Sequence, residues 1–249
     1  MTKLSQKEFT QSYQLTAGEC NAQLEMPVGL LVERLIEIAT LHANSWGVGY
    51  ARLVQDNQGW VLTRVTLEME RYPRMNERYS LTTWIEGYNR HFSQRNMAIT
   101  GEDGQVLGYA RTMWMVIDFN TRSSVDISKL SYISANALPQ KPCPIEPQGR
   151  FMAVEPTRSA CHTFTYTDCD FNRHVNTVRY VELLLNQFTM EHHDSHFVRR
   201  LELAFARETH YGDSAQLVIA DGQEGDSRID IMVDGQPHVR ARLLFAPRG

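Results

Sequence analysis

The sequence predicts a duplicated α+β fold, in which one long helix packs on an antiparallel sheet and the whole unit occurs twice. Three observations carry this. Five of the nine prolines (Pro139, Pro142, Pro144, Pro147, Pro156) crowd into one stretch, where missing N–H groups and a fixed φ oppose helix and central strand. On either side of it the same order recurs: a short strand, one strongly apolar helix, then four strands. The halves also echo each other in letters. Asp103-Gly104-Gln105 followed by Ala110-Arg111 returns at one common interval as Asp234-Gly235-Gln236 followed by Ala241-Arg242, and a repeat dictates architecture. The expected division is an N-terminal unit over 1–135, a proline-rich linker over 136–158 and a C-terminal unit over 159–249.

In the first unit, Pro27 marks a helix start, and Val28, Val32, Leu35, Ile36, Ala39 and Ala43 follow at helical spacing. Leu30, Leu31, Ile38 and Leu41 widen that face, which predicts a helix enclosed on most sides. Strands follow from Trp60 to Arg71, Tyr79 to Glu86, His91 to Thr100 and Val106 to Phe119, divided by turn signals such as Glu102-Asp103-Gly104. In the second unit Asn176 suits an N-cap, and Val178, Val181, Leu185 and Phe188 share a helical face. Strands then run from Val198 to Arg207, Ser214 to Ala220, Arg228 to Val233 and Val239 to Phe245. Val65, Leu67 and Met69 alternate as Leu201, Leu203 and Phe205 do, and each trio leads into an arginine, Arg71 or Arg207.

Composition narrows the function. With 249 residues, 42% hydrophobic and 22% charged, the chain is an ordinary globular one, which argues against disorder and low complexity. A net charge of −4 without a Lys/Arg block removes the footprint expected of a nucleic-acid binder. The start, Met1 to Glu8, has no apolar core of the signal-peptide kind, and no apolar run approaches the ~20 residues that span a bilayer. Four cysteines without a CxxC read as reduced thiols. The expectation is a cytoplasmic protein without membrane or nucleic-acid partners.

Chemistry concentrates in Asp168-Cys169-Asp170-Phe171-Asn172-Arg173-His174-Val175-Asn176, directly before the second helix. A helix N-terminus offers unpaired N–H groups and a partial positive charge, which suit an oxyanion. Asp170, Asn172 and His174 alternate, so in an extended segment they would leave one face together. They supply an acceptor, an amide donor and a proton carrier; a polar loop with a helix cap is the competing account. Glu208 stands where the strand alternation stops. It either orients a water there or is a solvated strand-end charge. Cys161-His162, or Cys169 near His174, has no spacing that supports a thiol nucleophile, and His192, His193, Asp194 and His196 lack the spacing of a known metal site.

The segment Asp170-Phe171-Asn172-Arg173-His174-Val175-Asn176, followed by Tyr180, resembles the D-x-N-x-H-V-N motif of acyl-acyl-carrier-protein thioesterases, enzymes that end fatty-acid synthesis by releasing free fatty acids. Leu35 to Ala43, Arg71-Tyr72-Pro73 through Thr83-Trp84, and Arg207-Glu208 agree with the same family, in order, from about Phe9 to Phe245. The resemblance implies a tandem of two hotdog units and a catalytic set of Asp170, Asn172, His174 and Glu208, with no cofactor and no metal. Water would be the nucleophile: Glu208 with His174 activates it, Asn172 and a helix-start N–H hold the oxyanion, and Asp170 orients Asn172 and His174. Plant members carry a cysteine after the glutamate, where Thr209 stands here, and a plastid transit segment; the resemblance is to a bacterial member. The first unit, whose loop Gly18-Glu19-Cys20-Asn21 lacks the trio, would hold the acyl chain.

The implied partner is acyl carrier protein bearing a fatty acyl chain. Because carrier proteins are acidic and this chain is itself negative, contact would need a local basic patch, for which Arg173, Arg199 and Arg200 are the candidates. A homodimer is left open. Rival readings are an acyl-CoA thioesterase and a non-catalytic acyl-binding sensor; the sensor has no need of Glu208 and His174 together.

Overall fold

Apolar residues at every second position make each half of the chain a set of strands with one buried face, and that face packs on the half's long helix. The computed structural model describes residues 7–152, 155–223 and 225–249; the first six residues, on which part of the reading of the chain's start rests, lie outside these, as do Ala153 and Val154 of the expected linker. The first unit contains β1 (Glu8–Gln14), α1 (Val28–Ser45), α2 (Tyr50–Leu53), β2 (Gln58–Met69), β3 (Arg78–Tyr88), β4 (Ser93–Gly101), β5 (Val106–Asp118), β6 (Ser123–Ser124) and α3 (Ser131–Asn136). The second contains β7 (Arg158–Thr163), α4 (Thr177–Leu185), α5 (Met190–Ser195), β8 (His196–Phe205), β9 (Ser214–Asp221), β10 (Asp226–Val233) and β11 (Gln236–Pro247).

All the strands join one antiparallel sheet in the order β1-β3-β4-β5-β2-β8-β11-β10-β9-β7, with β6 beside β5. The repeat is therefore fused along its middle, β2 against β8, from Arg64 opposite Ala204 to Glu68 opposite Arg200. The alternating residues noted in the sequence meet there, Val65 facing Leu203 and Leu67 facing Leu201, all four buried. This is the expected tandem hotdog. The strands lie within two or three residues of their expected bounds, since a pleat with one buried face sets a period of two that is easily read.

Leu31, Val32, Leu35, Ile38 and Ala39 of α1 are buried in the core. The two long helices touch where α1 begins: a Cβ on Gly29 would stand 3.2 Å from Cγ1 of Val178, so glycine permits the close crossing. Helix α4 starts as expected, Asn176 accepting the N–H of Val178 at 2.9 Å. It is shorter than expected. Its buried residues are Tyr180, Val181 and Leu184, and Phe188 lies beyond its end, packed on Phe245 at 4.7 Å between centroids. The chain turns there because Thr189 caps α5.

The proline-rich stretch is not a free tether. Its carbonyls are pinned to the outer face of the first sheet: Trp84 donates to the carbonyl of Lys141 (2.7 Å), and Arg111 to those of Cys143 and Ile145 (2.8 Å each). Cys143 and Ile145 are buried by this strap. All four cysteines are free thiols. Among the described residues no helix is long and apolar enough to cross a membrane.

Candidate active site

Asp170, Asn172 and His174 do not leave an extended segment together. Asp170 folds the chain into a tight turn: its Oδ1 accepts the backbone N–H of Asn172 at 2.8 Å and of His174 at 3.2 Å. Its own N–H donates to the carbonyl of His174 (2.8 Å) and its carbonyl accepts from Arg173 (3.0 Å). Arg173 takes up the left-handed region, φ 64°. Local side-chain bonding by Asp is the physical reason alternation fails here. Asp170 thus orients Asn172 and His174 through their main chain.

The turn has a counterpart in the first unit. Asn21 Oδ1 accepts the N–H groups of Gln23 (3.0 Å) and Glu25 (3.1 Å), Leu24 has φ 58°, and each turn follows a one-turn helix with a capping box. The N–H after each turn bonds to the far strand end, Met26 to the carbonyl of Pro73 and Val175 to that of Thr209. Asn21, Gln23, Glu25 and Tyr72 therefore occupy the places of Asp170, Asn172, His174 and Glu208. These four form no carboxylate–imidazole pair: Glu25 is ion-paired with Arg248 (2.6 Å) and the Tyr72 hydroxyl donates to the carbonyl of Val198 (2.9 Å).

In the second unit the strand end brings Glu208 to His174, with Oε2 3.6 Å from Nε2. Both side chains are about one-third exposed, 34% and 31%. His210 packs its ring edge-on against His174 at 5.1 Å. Arg122, from the turn between β5 and β6, crosses from the first unit and donates to Oε2 of Glu208. His174, Glu208 and His210 offer ligand atoms within 4.8 Å of one another, a donor set that could hold a divalent ion; the guanidinium on Glu208 competes with a cation for that carboxylate. Thr209, where plant members have a cysteine, is fully buried, its hydroxyl 2.8 Å from Nδ1 of His238. Burial pulls the His238 imidazole below its ordinary pKa and pushes the Tyr180 phenol up to about 12, so both are neutral at neutral pH.

A cavity of about 400 Å³ opens at the same turn. Asp170, Phe171, Asn172 and Thr177 line its mouth, and Ile36, Ala39, Trp60, Leu62, Trp114 and Ile133 its apolar interior. The N–H of Thr177, the first residue of α4, has no hydrogen-bond partner among the described residues. His174 and Glu208 stand beside this mouth rather than in its wall.

Arg173 is exposed on the turn. Arg199 and Arg200 are elsewhere, in the middle of β8 and nine and eight positions before Glu208. Arg199 donates to Glu70 (2.7 Å), and Arg200, 11% exposed, pairs with Glu68 (2.6 Å) and Glu202 (2.7 Å). Sequence reasoning missed Arg122, His210 and His238. His210 lies beyond the end of the strand alternation and meets His174 through an isolated bridge, which no period marks; Arg122 is 86 positions from its partner, and no local pattern points to it.

Comparison with known proteins finds matches for both halves of the chain. Residues 6–132 match the acyl-ACP thioesterase N-terminal domain and residues 154–247 the C-terminal domain. A palmitoyl-acyl carrier protein thioesterase from Gossypium hirsutum is 24% identical over 96% of this chain, and an oleoyl-acyl carrier protein thioesterase from Arabidopsis thaliana 22% over 82%. The chain spans 64% and 61% of those chloroplastic relatives. A crystal structure of an acyl-ACP thioesterase from Bacteroides thetaiotaomicron superposes with a TM-score of 0.88 at 31% identity, covering 96% of this chain and 98% of that one. A 12:0-ACP thioesterase from Umbellularia californica shares the fold, TM-score 0.85 at 18% identity over 98% of this chain and 99% of that one. With both domains matched in order across nearly its whole length, the chain belongs to the acyl-ACP thioesterase family.

Proposed function

We propose that this protein hydrolyses the thioester of acyl-acyl carrier protein, releasing a free fatty acid and the carrier thiol. The observation that carries the reading is the Glu208–His174 pair beside the mouth of an apolar cavity. In this account the first unit holds the acyl chain against α1 and the second supplies the chemistry. Glu208, with His174, takes a proton from water as its oxygen attacks the carbonyl carbon. The Asn172 amide and the free N–H of Thr177 hold the oxyanion. The C–S bond then breaks, and the thiolate leaves with a proton returned from the pair. Asp170 keeps the turn that aims Asn172 and His174. Four free thiols support a reducing compartment, the cytoplasm.

The test compares acyl-acyl carrier protein with acyl-CoA at matched chain length. The reading expects the higher kcat/KM with the carrier; a higher value with acyl-CoA would replace it with the acyl-CoA reading. Of the three arginines proposed to meet the carrier, Arg173 is free to do so, while the glutamates on Arg199 and Arg200 neutralise most of their charge. Contact between an acidic carrier and Arg173 weakens as added salt shortens the Debye length. We expect kcat/KM for the carrier substrate to fall steeply with salt and that for a short neutral acyl thioester to stay level; equal slopes would remove the electrostatic contact.

An activated water needs no protein nucleophile. Cys161→Ala and Cys169→Ala should each leave turnover within about twofold of the parent, and intact-mass spectra during turnover should show no acyl adduct. A trapped adduct on either cysteine would overturn the water mechanism.

A further inference from the structure

The cavity carries one charge that holding a plain hydrocarbon chain does not use. Going away from the second unit, its walls come from β2 (Trp60, Leu62), β5 (Trp114), β4 (Ser93, Arg95) and β3 (Ile85). Phe171 of the turn packs edge-on against Tyr50 of α2 at 5.4 Å, and α2 rests on β2, so the mouth lies beside β2. Strand β4 is two spacings further in, about 10 Å at ~4.8 Å per spacing.

There Arg95 is 6% exposed. Its Nη1 lies 2.9 Å from Nδ1 of His42 and 3.2 Å from Oγ1 of Thr83, and its guanidinium carbon 5.5 Å from the ring centroid of Trp46. Nε and Nη2 have no hydrogen-bond partner, and the guanidinium no carboxylate, among the described residues. Arg111 and Arg200, comparably enclosed, each pair with a glutamate. The neighbouring carboxylate of Glu86 is taken up on the opposite face of β4 by Gln94 and Asn96. Desolvation pulls the Arg95 pKa down to about 10, which leaves it charged at neutral pH. Arg95 lines the cavity, so a chain that fills the cavity cuts its unpartnered donors off from water, which is costly unless the chain brings an acceptor.

We infer that Arg95 determines specificity at the inner end of the cavity, its guanidinium taking an acceptor oxygen carried near the far end of the acyl chain. The substrate class is then an oxygenated acyl chain, bearing a hydroxyl or carboxylate, in preference to a methyl-ended chain of equal length. A methyl end against Arg95 leaves its donors without partners; an acceptor oxygen gives them one. This rests on the thioesterase reading above.

The test is a ladder of acyl-acyl carrier proteins of increasing length, each as methyl-ended, ω-hydroxy and ω-carboxy versions. At the length that reaches Arg95, the wild type should favour an oxygenated chain by about tenfold or more in kcat/KM, the scale of a hydrogen bond to a charged donor. The ω-hydroxy and ω-carboxy arms tell a neutral acceptor from an anion. Arg95→Met should abolish or reverse the preference. A wild-type ratio at or below one at every length overturns the inference whatever the variant does, and so does a preference that survives in Arg95→Met. If Arg95→Met does not fold, the wild-type ratio alone decides. Failure to hydrolyse any version at any length is a different result, because it removes the thioesterase reading itself.

Discussion

Glutamine in place of Glu208 should lower kcat for acyl-carrier-protein hydrolysis by about 10²- to 10⁴-fold, the range for losing a positioned general base, while KM moves little. The amide keeps the shape of the carboxylate and a hydrogen-bond acceptor for Arg122 but cannot take a proton. Glu208 is one-third exposed and its neighbour His174 lies at 3.6 Å, so the substitution leaves the core untouched and the variant should melt with the parent. Steady-state kinetics with a thermal melt check this. A folded variant with near-parental kcat would show that Glu208 is a solvated strand-end charge after all.

The second large effect separates the turn from the charge at Asp170. Asp170→Ala removes the acceptor for two backbone N–H groups. It should cost about 1–3 kcal/mol, the scale for a lost cap or locally satisfied turn, and lower kcat by about 10²-fold or more as Asn172 and His174 lose their aim. Asparagine performs the same bonding at position 21 of the first unit. Asp170→Asn should therefore keep the parental melting temperature and hold kcat within about tenfold. Asn21→Ala, in turn, should cost comparable stability without a comparable loss of kcat, because the first unit's turn lies at no reacting group. If Asp170→Asn were as inactive as Asp170→Ala, the carboxylate charge itself would be needed, and the purely positional role would fail.

What could be read from the letters follows the range of the interaction. Burial on one face of a strand imposes a period of two, and on a helix about three and a half, so α1, the strands and the repeat were legible from residues such as Val65, Leu67 and Leu203. The D-x-N-x-H-V-N motif placed Asp170, Asn172, His174 and, after the matching strand, Glu208. The shape of the turn was not legible, since alternation and an aspartate-bonded turn fit the same letters; the bonding of Asn21 in the other unit shows how the shape is made. Contacts between distant segments were silent. Arg122 reaches Glu208 from the other unit, 86 positions away, and Arg199 and Arg200 read as an open basic patch because nothing local shows that Glu68 of β2 and Glu70 just past its end lie beside them. Arg95 sits between inward-facing Ser93 and Met97, so its burial was readable from period; the missing counter-charge was not. The same holds for the proline stretch, whose carbonyls Trp84 and Arg111 fix to the sheet.

The central claim is that a water activated by Glu208 and His174 attacks the thioester directly. A single turnover with enzyme in excess over acyl-acyl carrier protein, run in ¹⁸O-labelled water and read by mass spectrometry of the fatty acid and of the intact protein, tests it. The account predicts one ¹⁸O in the released carboxylate, no label in the protein and no acyl-protein species at any time. Label found in a protein side chain, with an unlabelled first product, would mean that the protein itself attacks the thioester and would contradict the account.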